Sequence, residues 1–279
     1  MRFAAITLLS LAMALPVRAE SQRGWNFMGR FSGTANSSSS VLKFDPSAGY
    51  VFSSHLEAYG GLPVYFVRDS QASRSMSGIG NLYAGLQGRI DSDVLNYVST
   101  IELSAPTGDR DRGFSTGRMT ADWTNRFSRS FSAVTPFASA GIANTISDTS
   151  FFVRPFTSLG LVTHFEAGAQ ADLFDTFRAG ASGYAIRASG EQRIISRIVE
   201  RESGSANRVR GRGQAGGRNR VFEVQPETLV AAELADDHGF SAWFGISPRR
   251  ALDFYAGYNR SVTYNFNSVF FGLEVRVGK

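Results

Sequence analysis

The chain has 279 residues, 43% of them hydrophobic and 13% aromatic, with 29 glycines, eight prolines and no cysteine. The lack of cysteine excludes a small domain stapled by disulfides, and no apolar run after residue 20 reaches the roughly 20 residues that a membrane-spanning helix needs. The formal charge is +5, and residues 190–220 alone hold eight arginines against three glutamates, so the excess belongs to one segment.

Residues 1–19 read as a secretory signal peptide. Arg2 precedes an apolar run from Phe3 to about Val17, and the small residues Val17 and Ala19 stand third-last and last before Glu20, which places cleavage after Ala19. Residues 20–279 then form one exported domain, and export separates it from cytoplasmic nucleic acid.

From residue 24 onward, apolar and polar residues alternate with period two, the pattern of strands with unlike faces. The spacing predicts strands at 24–34, 40–52, 55–67, 77–89, 94–105, 117–127, 132–143, 157–171, 176–188, 239–247, 251–262 and 267–278. In the eighth, Leu159, Leu161, Phe165, Ala167 and Ala169 oppose His164, Glu166, Gln170 and Asp172; in the last, Val269, Phe271, Leu273, Val275 and Val277 oppose Phe270, Gly272, Glu274 and Arg276. Most of these strands are long enough for a tilted bilayer crossing. Their second face carries charge and glycine at mid-strand, and aromatics such as Trp25, Phe52, Phe66, Phe127, Phe177 and Phe240 stand at strand ends. An open sheet edge is not viable in lipid. The expected fold is therefore all-β: a single closed antiparallel transmembrane barrel of about twelve strands, a monomer, with short periplasmic turns and longer extracellular loops. Pro136 interrupts the seventh strand.

Residues 189–238 are expected to form a long extracellular loop rich in arginine and glycine. Arg208, Arg210, Arg212, Arg218 and Arg220 suit the phosphates of lipopolysaccharide, because guanidinium forks bind phosphate through paired hydrogen bonds; the plainer reading is a solvated loop. Just before them, residues 193–202 space Ile194, Ile195, Ile198 and Val199 on one helical face, which suggests a short amphipathic helix that lies on the membrane surface, folds into the barrel mouth as a constriction or packs on the loop's own residues.

The expected lumen lining is Arg30, Glu57, Arg89, Glu102, Arg118, Asp122, Arg126, His164, Glu166, Gln170, Arg178, Glu274 and Arg276, with Lys43, Asp45, Asp172 and Asp253 on the same faces. Such a lumen can conduct small molecules, or its opposite charges can zip it shut and leave the loops to interact with lipids or other partners. His164 and Glu166 share a face but make too few ligands for a metal site. The stretch Gly113–Gly117 matches Gly-x-Ser-x-Gly but follows Pro106 in a loop rather than forming a strand–turn–helix elbow. The two acids of "GDRDRG" are interleaved with arginines that compete with calcium for them. No cofactor, metal or enzymatic activity is expected.

Gly78, Gly80, Pro106, Thr107, Gly108, Asp109 and Gly117, with Asn81 at a position usually held by Asp, form a pattern that resembles outer-membrane barrels of the meta-pathway of phenol degradation. The resemblance is densest over 78–124. It implies a bacterial outer-membrane location and uptake or efflux of small, hydrophobic or aromatic molecules. The chain closes on Val277-Gly278-Lys279, whereas bacterial barrels commonly end on an aromatic residue.

Overall fold

The computed structural model describes residues 23–35, 39–69, 74–146, 153–174, 176–197, 227–249 and 251–278. The signal segment and Arg208, Arg210, Arg212, Arg218 and Arg220 lie outside the described residues. The strands are β1 (Gly24–Ala35), β2 (Ser39–Ser53), β3 (Leu56–Gly61), β4 (Val64–Asp69), β5 (Arg74–Ile79), β6 (Leu82–Ile90), β7 (Asn96–Ala105), β8 (Thr120–Ser128), β9 (Val134–Ala143), β10 (Phe156–Asp172), β11 (Phe177–Ser196), β12 (Glu227–Val230), β13 (Asp237–Arg249), β14 (Leu252–Ser261) and β15 (Phe266–Gly278). One turn of helix, α1 (Ala232–Ala235), separates β12 from β13.

Every pairing is antiparallel. β3 and β4 both lie against β2, β5 and β6 lie against β4 and β3, and β12 and β13 both lie against β11, so the fifteen segments fill twelve positions. β1 pairs with β2 on one side and with β15 on the other, from Gly24↔Gly278 to Ala35↔Asn267. The sheet is therefore closed. The turns after β2, β6, β8, β10 and β13 are short and share one end of the barrel with both ends of the described chain; the connections after β1, β4, β7, β9, β11 and β14 share the other, and those after β7, β9 and β11 are the long ones.

Proline causes two of the irregularities. Pro46 in β2 and Pro63 between β3 and β4 lack N–H groups and stand at adjoining levels of the two strands, Pro46 opposite Leu62 and Pro63 opposite Asp45, so the ladder lapses there. Leu62 N–H donates to the Pro46 carbonyl at 3.3 Å, and Gly80 N–H to the Pro63 carbonyl at 2.7 Å, which carries the break into the next position as the gap between β5 and β6. Pro136 sits where β9 outruns β8. Its carbonyl still accepts from Arg129 N–H at 3.3 Å, and its missing donor falls beyond the last paired residue of β8, Ser128. The proline thus costs the ladder little, and the seventh strand survives.

The faces follow the alternation. Leu42, Leu86, Ile101, Leu103, Leu161, Phe165, Phe244 and Phe271 are exposed on the outside, while their neighbours Lys43, His164, Glu166 and Phe270 are buried inside. Outer aromatics cluster toward both ends, with Trp25 against Tyr50 (5.2 Å between centroids) and Tyr97 against Phe127 (5.1 Å) at the short-turn end, and Phe31 against Phe44 (4.3 Å) nearer the other.

The reading of 189–238 as loop is corrected at its edges. β11 continues through Ser196, and β12 and α1 occupy 227–230 and 232–235. The amphipathic helix expected at 193–202 is strand as far as Ser196, because Ile194 and Ile195 pair with Ser158 and Thr157 of β10 and β-branched side chains fit a pleated ladder better than a helix. Residues 198–202 lie outside the described residues.

The exterior faces lipid in this account, so Leu161→Arg or Ile101→Arg will cost about 2–4 kcal/mol of assembly. Thr100→Arg, which points inward and is half-buried, will assemble like the parent. The folded fraction that migrates fast in unheated detergent gels checks this, and equal losses in all three variants would contradict the assigned faces.

Candidate functional site

The interior divides into a polar half near the short turns and a more fully buried half near the long loops. In the polar half, the inward side chains Asn26, Glu57, Tyr59, Gln87, Arg89, Thr100, Glu102, Asp122 and Arg276 are only half-buried. They line a chamber that water reaches along β1, β3, β6, β7, β8 and β15. Tyr59 donates to Glu102 at 2.9 Å and Asn26 to Glu57 at 2.5 Å. Tyr59 lies flat across the wall because Gly85 stands beside it; a Cβ there would come within 2.3 Å of the ring.

The rest of the polar half is filled by ion pairs. Asp45 accepts from Tyr83 at 2.9 Å and lies 3.2 Å from Lys43 and 3.9 Å from Arg30. Asp253 holds Arg178 at 2.9 Å and also binds Arg276, which bridges to Glu274 at 2.9 Å. Glu166 accepts from Ser182 at 2.6 Å and faces Arg126 at 3.9 Å. Arg126 in turn lies 3.6 Å above the Phe137 ring, the edge of a buried aromatic cluster with Trp243, Tyr255 and Phe270.

The long-loop half is capped. β10 and β11 run on past their neighbours and lose register between Leu159 and Leu161. Gly160 at φ +152° permits the irregularity, and a Cβ there would meet the Gln192 side chain at 2.3 Å. Beyond it Phe156, Thr157, Ser158, Ile194, Ile195 and Ser196 are all buried, so the hairpin is covered on both faces. Arg197, the next residue, has its guanidinium 4.4 Å over the ring of Tyr65. β11 and β4 occupy positions six apart in the ring of twelve. The hairpin end therefore crosses the mouth to the opposite wall. Phe114 stacks on Tyr65 at 5.6 Å beneath it, and Val153 packs with Val41, Val67 and Phe114. Phe156, Ile186, Ile194, Tyr264 and Phe266 fill the other side of the mouth.

The structure places Arg30, Glu57, Arg89, Glu102, Asp122, Arg126, His164, Glu166, Gln170, Arg178, Glu274 and Arg276 on inward faces of the wall. Arg118 departs from the expectation. It is exposed in the connection before β8, which starts at Thr120 rather than 117. His164 meets Asp122 at 3.1 Å rather than Glu166. Gly113–Gly117 is followed by strand β8 rather than a helix, and its buried Phe114 belongs to the cap. Asp109 is engaged by Arg112 of its own turn, through the backbone N–H at 3.1 Å and the side chain at 3.3 Å. Thr107 Oγ1 donates to the Gly80 carbonyl at 3.2 Å and accepts from Leu82 N–H at 2.7 Å, while Asn81 accepts from Gly108 N–H at 3.3 Å. This cluster from the quoted motif thus secures the gap between β5 and β6. Sequence reasoning missed Arg154, Arg197 and Asp237, three fully or almost fully buried charges in the cap. They stand in segments read as loop or helix, where alternation gives no signal.

Among solved structures the fold is similar to an outer membrane channel from Pseudomonas putida F1 (TM-score 0.58, 11% identity, 95% of this chain and 98% of that one) and to the NanC porin (TM-score 0.52, 7% identity, 91% of this chain and 100% of that one). No family model matches the chain, and no curated protein matches its sequence. At these identities the likeness is one of fold.

Removing a shared buried carboxylate strands its cations. Asp253→Ala will destabilise the barrel by about 3 kcal/mol and lower the temperature at which the compact gel band is lost. Asp236→Ala, which breaks a partly exposed pair with Arg187 and the bond from the Ala188 N–H, will cost less, about 1–2 kcal/mol. Equal shifts would mean that the interior pairs do not hold the wall together.

Proposed function

We propose that the chain is a bacterial outer-membrane channel that carries small apolar or aromatic molecules through its interior. The observation that carries the proposal is the pairing of an apolar exterior with a chamber whose half-buried lining is polar and reached by water. A conduit needs that combination and a soluble sandwich does not. An aromatic cargo is what the resemblance over 78–124 implies, and the half-buried ring of Tyr59 in the chamber wall suits it, since ring faces and edges favour other rings. In this reading residues 1–19 are removed on export, the short turns face the periplasm and the long connections face outward.

A second reading has its own support. The ion pairs around Asp45, Asp253 and Glu166, together with the capped mouth, suit a barrel with a closed lumen whose loops bind lipopolysaccharide through Arg208, Arg210, Arg212, Arg218 and Arg220. A chain lacking 203–219 would then fold normally and lose lipopolysaccharide binding in a salt-dependent way.

Planar bilayers separate the two. The channel reading predicts discrete current steps in potassium chloride, and catechol added on the short-turn side will shorten the openings. Folded protein that passes no current, with or without a weakened cap, would contradict it and leave the closed barrel.

A further inference from the structure

We propose that the cap is a gate, latched by Arg154, Arg197 and Asp237, that holds the channel shut at rest. The inference rests on the channel reading and adds its regulation. The three residues form one chain of contacts across the mouth. Arg154 donates to Asp237 at 2.8 Å, and both are fully desolvated. Arg197 donates to the Arg154 carbonyl at 2.6 Å and to the Gly113 carbonyl at 3.3 Å, and reaches the Tyr65 hydroxyl at 3.5 Å. Its own backbone N–H donates to the Pro155 carbonyl at 3.0 Å. One strut therefore runs from Tyr65 on β4 to Asp237 on β13 and gathers three connections on its way, those holding Gly113, Arg154 and Arg197.

Asp237 is built to hold the strut. Ser261 donates to one of its oxygens at 2.6 Å, and Tyr184 to the other at 3.3 Å. These donors come from β14 and β11, so the carboxylate is fixed in the wall and presented to the mouth. The latch side chains Arg154 and Arg197 stand instead on residues outside the strands. Arg154 and Arg197 can therefore leave the mouth without breaking any strand pairing of the wall. A second contact seats the same segment, where Thr34 of β1 donates to the Val153 carbonyl.

The chemistry suits a reversible closure better than a permanent plug. A buried ion pair gives up hydration on both partners, so much of its attraction is repaid when the pair swings into water. Beneath it, Phe114 and Val153 rest on Tyr65, Val41 and Val67, an apolar seat without directional bonds. The ion pair and the Val153 contact release together when the segment 153–155 lifts.

The test uses the full mature chain in planar bilayers. Asp237→Asn keeps the shape of the residue and removes the charge that holds Arg154. It will raise the open probability by about tenfold or more through a shift of the closed–open equilibrium, with the single-channel current of the open state unchanged. Asp236→Asn, the same change one residue away on a partly exposed pair outside the strut, keeps the acceptor for the Ala188 N–H and will behave like the parent. Thr34→Cys with Val153→Cys, in a chain that has no cysteine of its own, will hold the Asp237→Asn variant shut when oxidised and release it when reduced. A folded Asp237→Asn variant with the parent's open probability, or openings indifferent to the cross-link, would overturn the gate while leaving the channel. Absence of current from the parent and every variant would overturn the channel reading and the gate with it.

Discussion

Closure of the sheet is the constraint on which everything else depends. In an apolar surrounding an unpaired backbone N–H or C=O costs several kcal/mol, so a sheet with two free edges cannot stand there. The seam between β1 and β15 removes both edges with twelve paired residues on each strand. Once the sheet is closed, each residue has only two directions, outward or inward, and the side-chain period of two assigns them without further choice. The exposed Leu, Ile and Phe side chains of the exterior and the buried charges of the interior are two consequences of one closure.

The interior then has to accommodate charge in a confined space. It does so by sharing: Asp45 serves Arg30 and Lys43, and Asp253 serves Arg178 and Arg276. Such pairs are poor sources of net stability but costly to break from one side. They therefore fill the lumen where they stand and leave the remaining inward face, along β3 and β6 to β8, accessible to solvent. The cap obeys the same rule at the mouth, where Asp237 fixed in the wall receives a charge carried on a connection.

The strands were legible because most of them meet two different environments. Outward apolar and inward polar residues alternate from Trp25 to Val277, and twelve positions could be counted from that pattern. Pro136 left its strand intact because the lost donor falls beyond the end of β8, a fact of register that spacing does not carry. The cap was not legible for the opposite reason. Residues 156–158 and 194–196 are buried on both faces, so their residues do not alternate, and Ile194 and Ile195 fit a helical face as readily as a ladder. Asp237 and Arg154 stand in segments without alternation, and nothing local to them reveals that stretches 83 residues apart come together. Arg118 was misplaced by a strand start set three residues early. The quoted glycines, Thr107 and Asn81 signalled a real local arrangement, and its role in the fold is to tie 106–109 to the gap after β5.

Single-cysteine labelling along β7 tests the central claim most directly, since the chain supplies no background thiol. Cysteines at 100, 101, 102 and 103 are placed one at a time in protein assembled in membranes. Each is challenged with a small water-soluble thiol reagent and with one that dissolves in lipid. The account predicts strict alternation: positions 100 and 102 react with the water-soluble reagent through the chamber, and 101 and 103 react only from lipid. Equal reaction of all four positions with the water-soluble reagent would contradict a closed barrel with a wet interior and a lipid-facing wall.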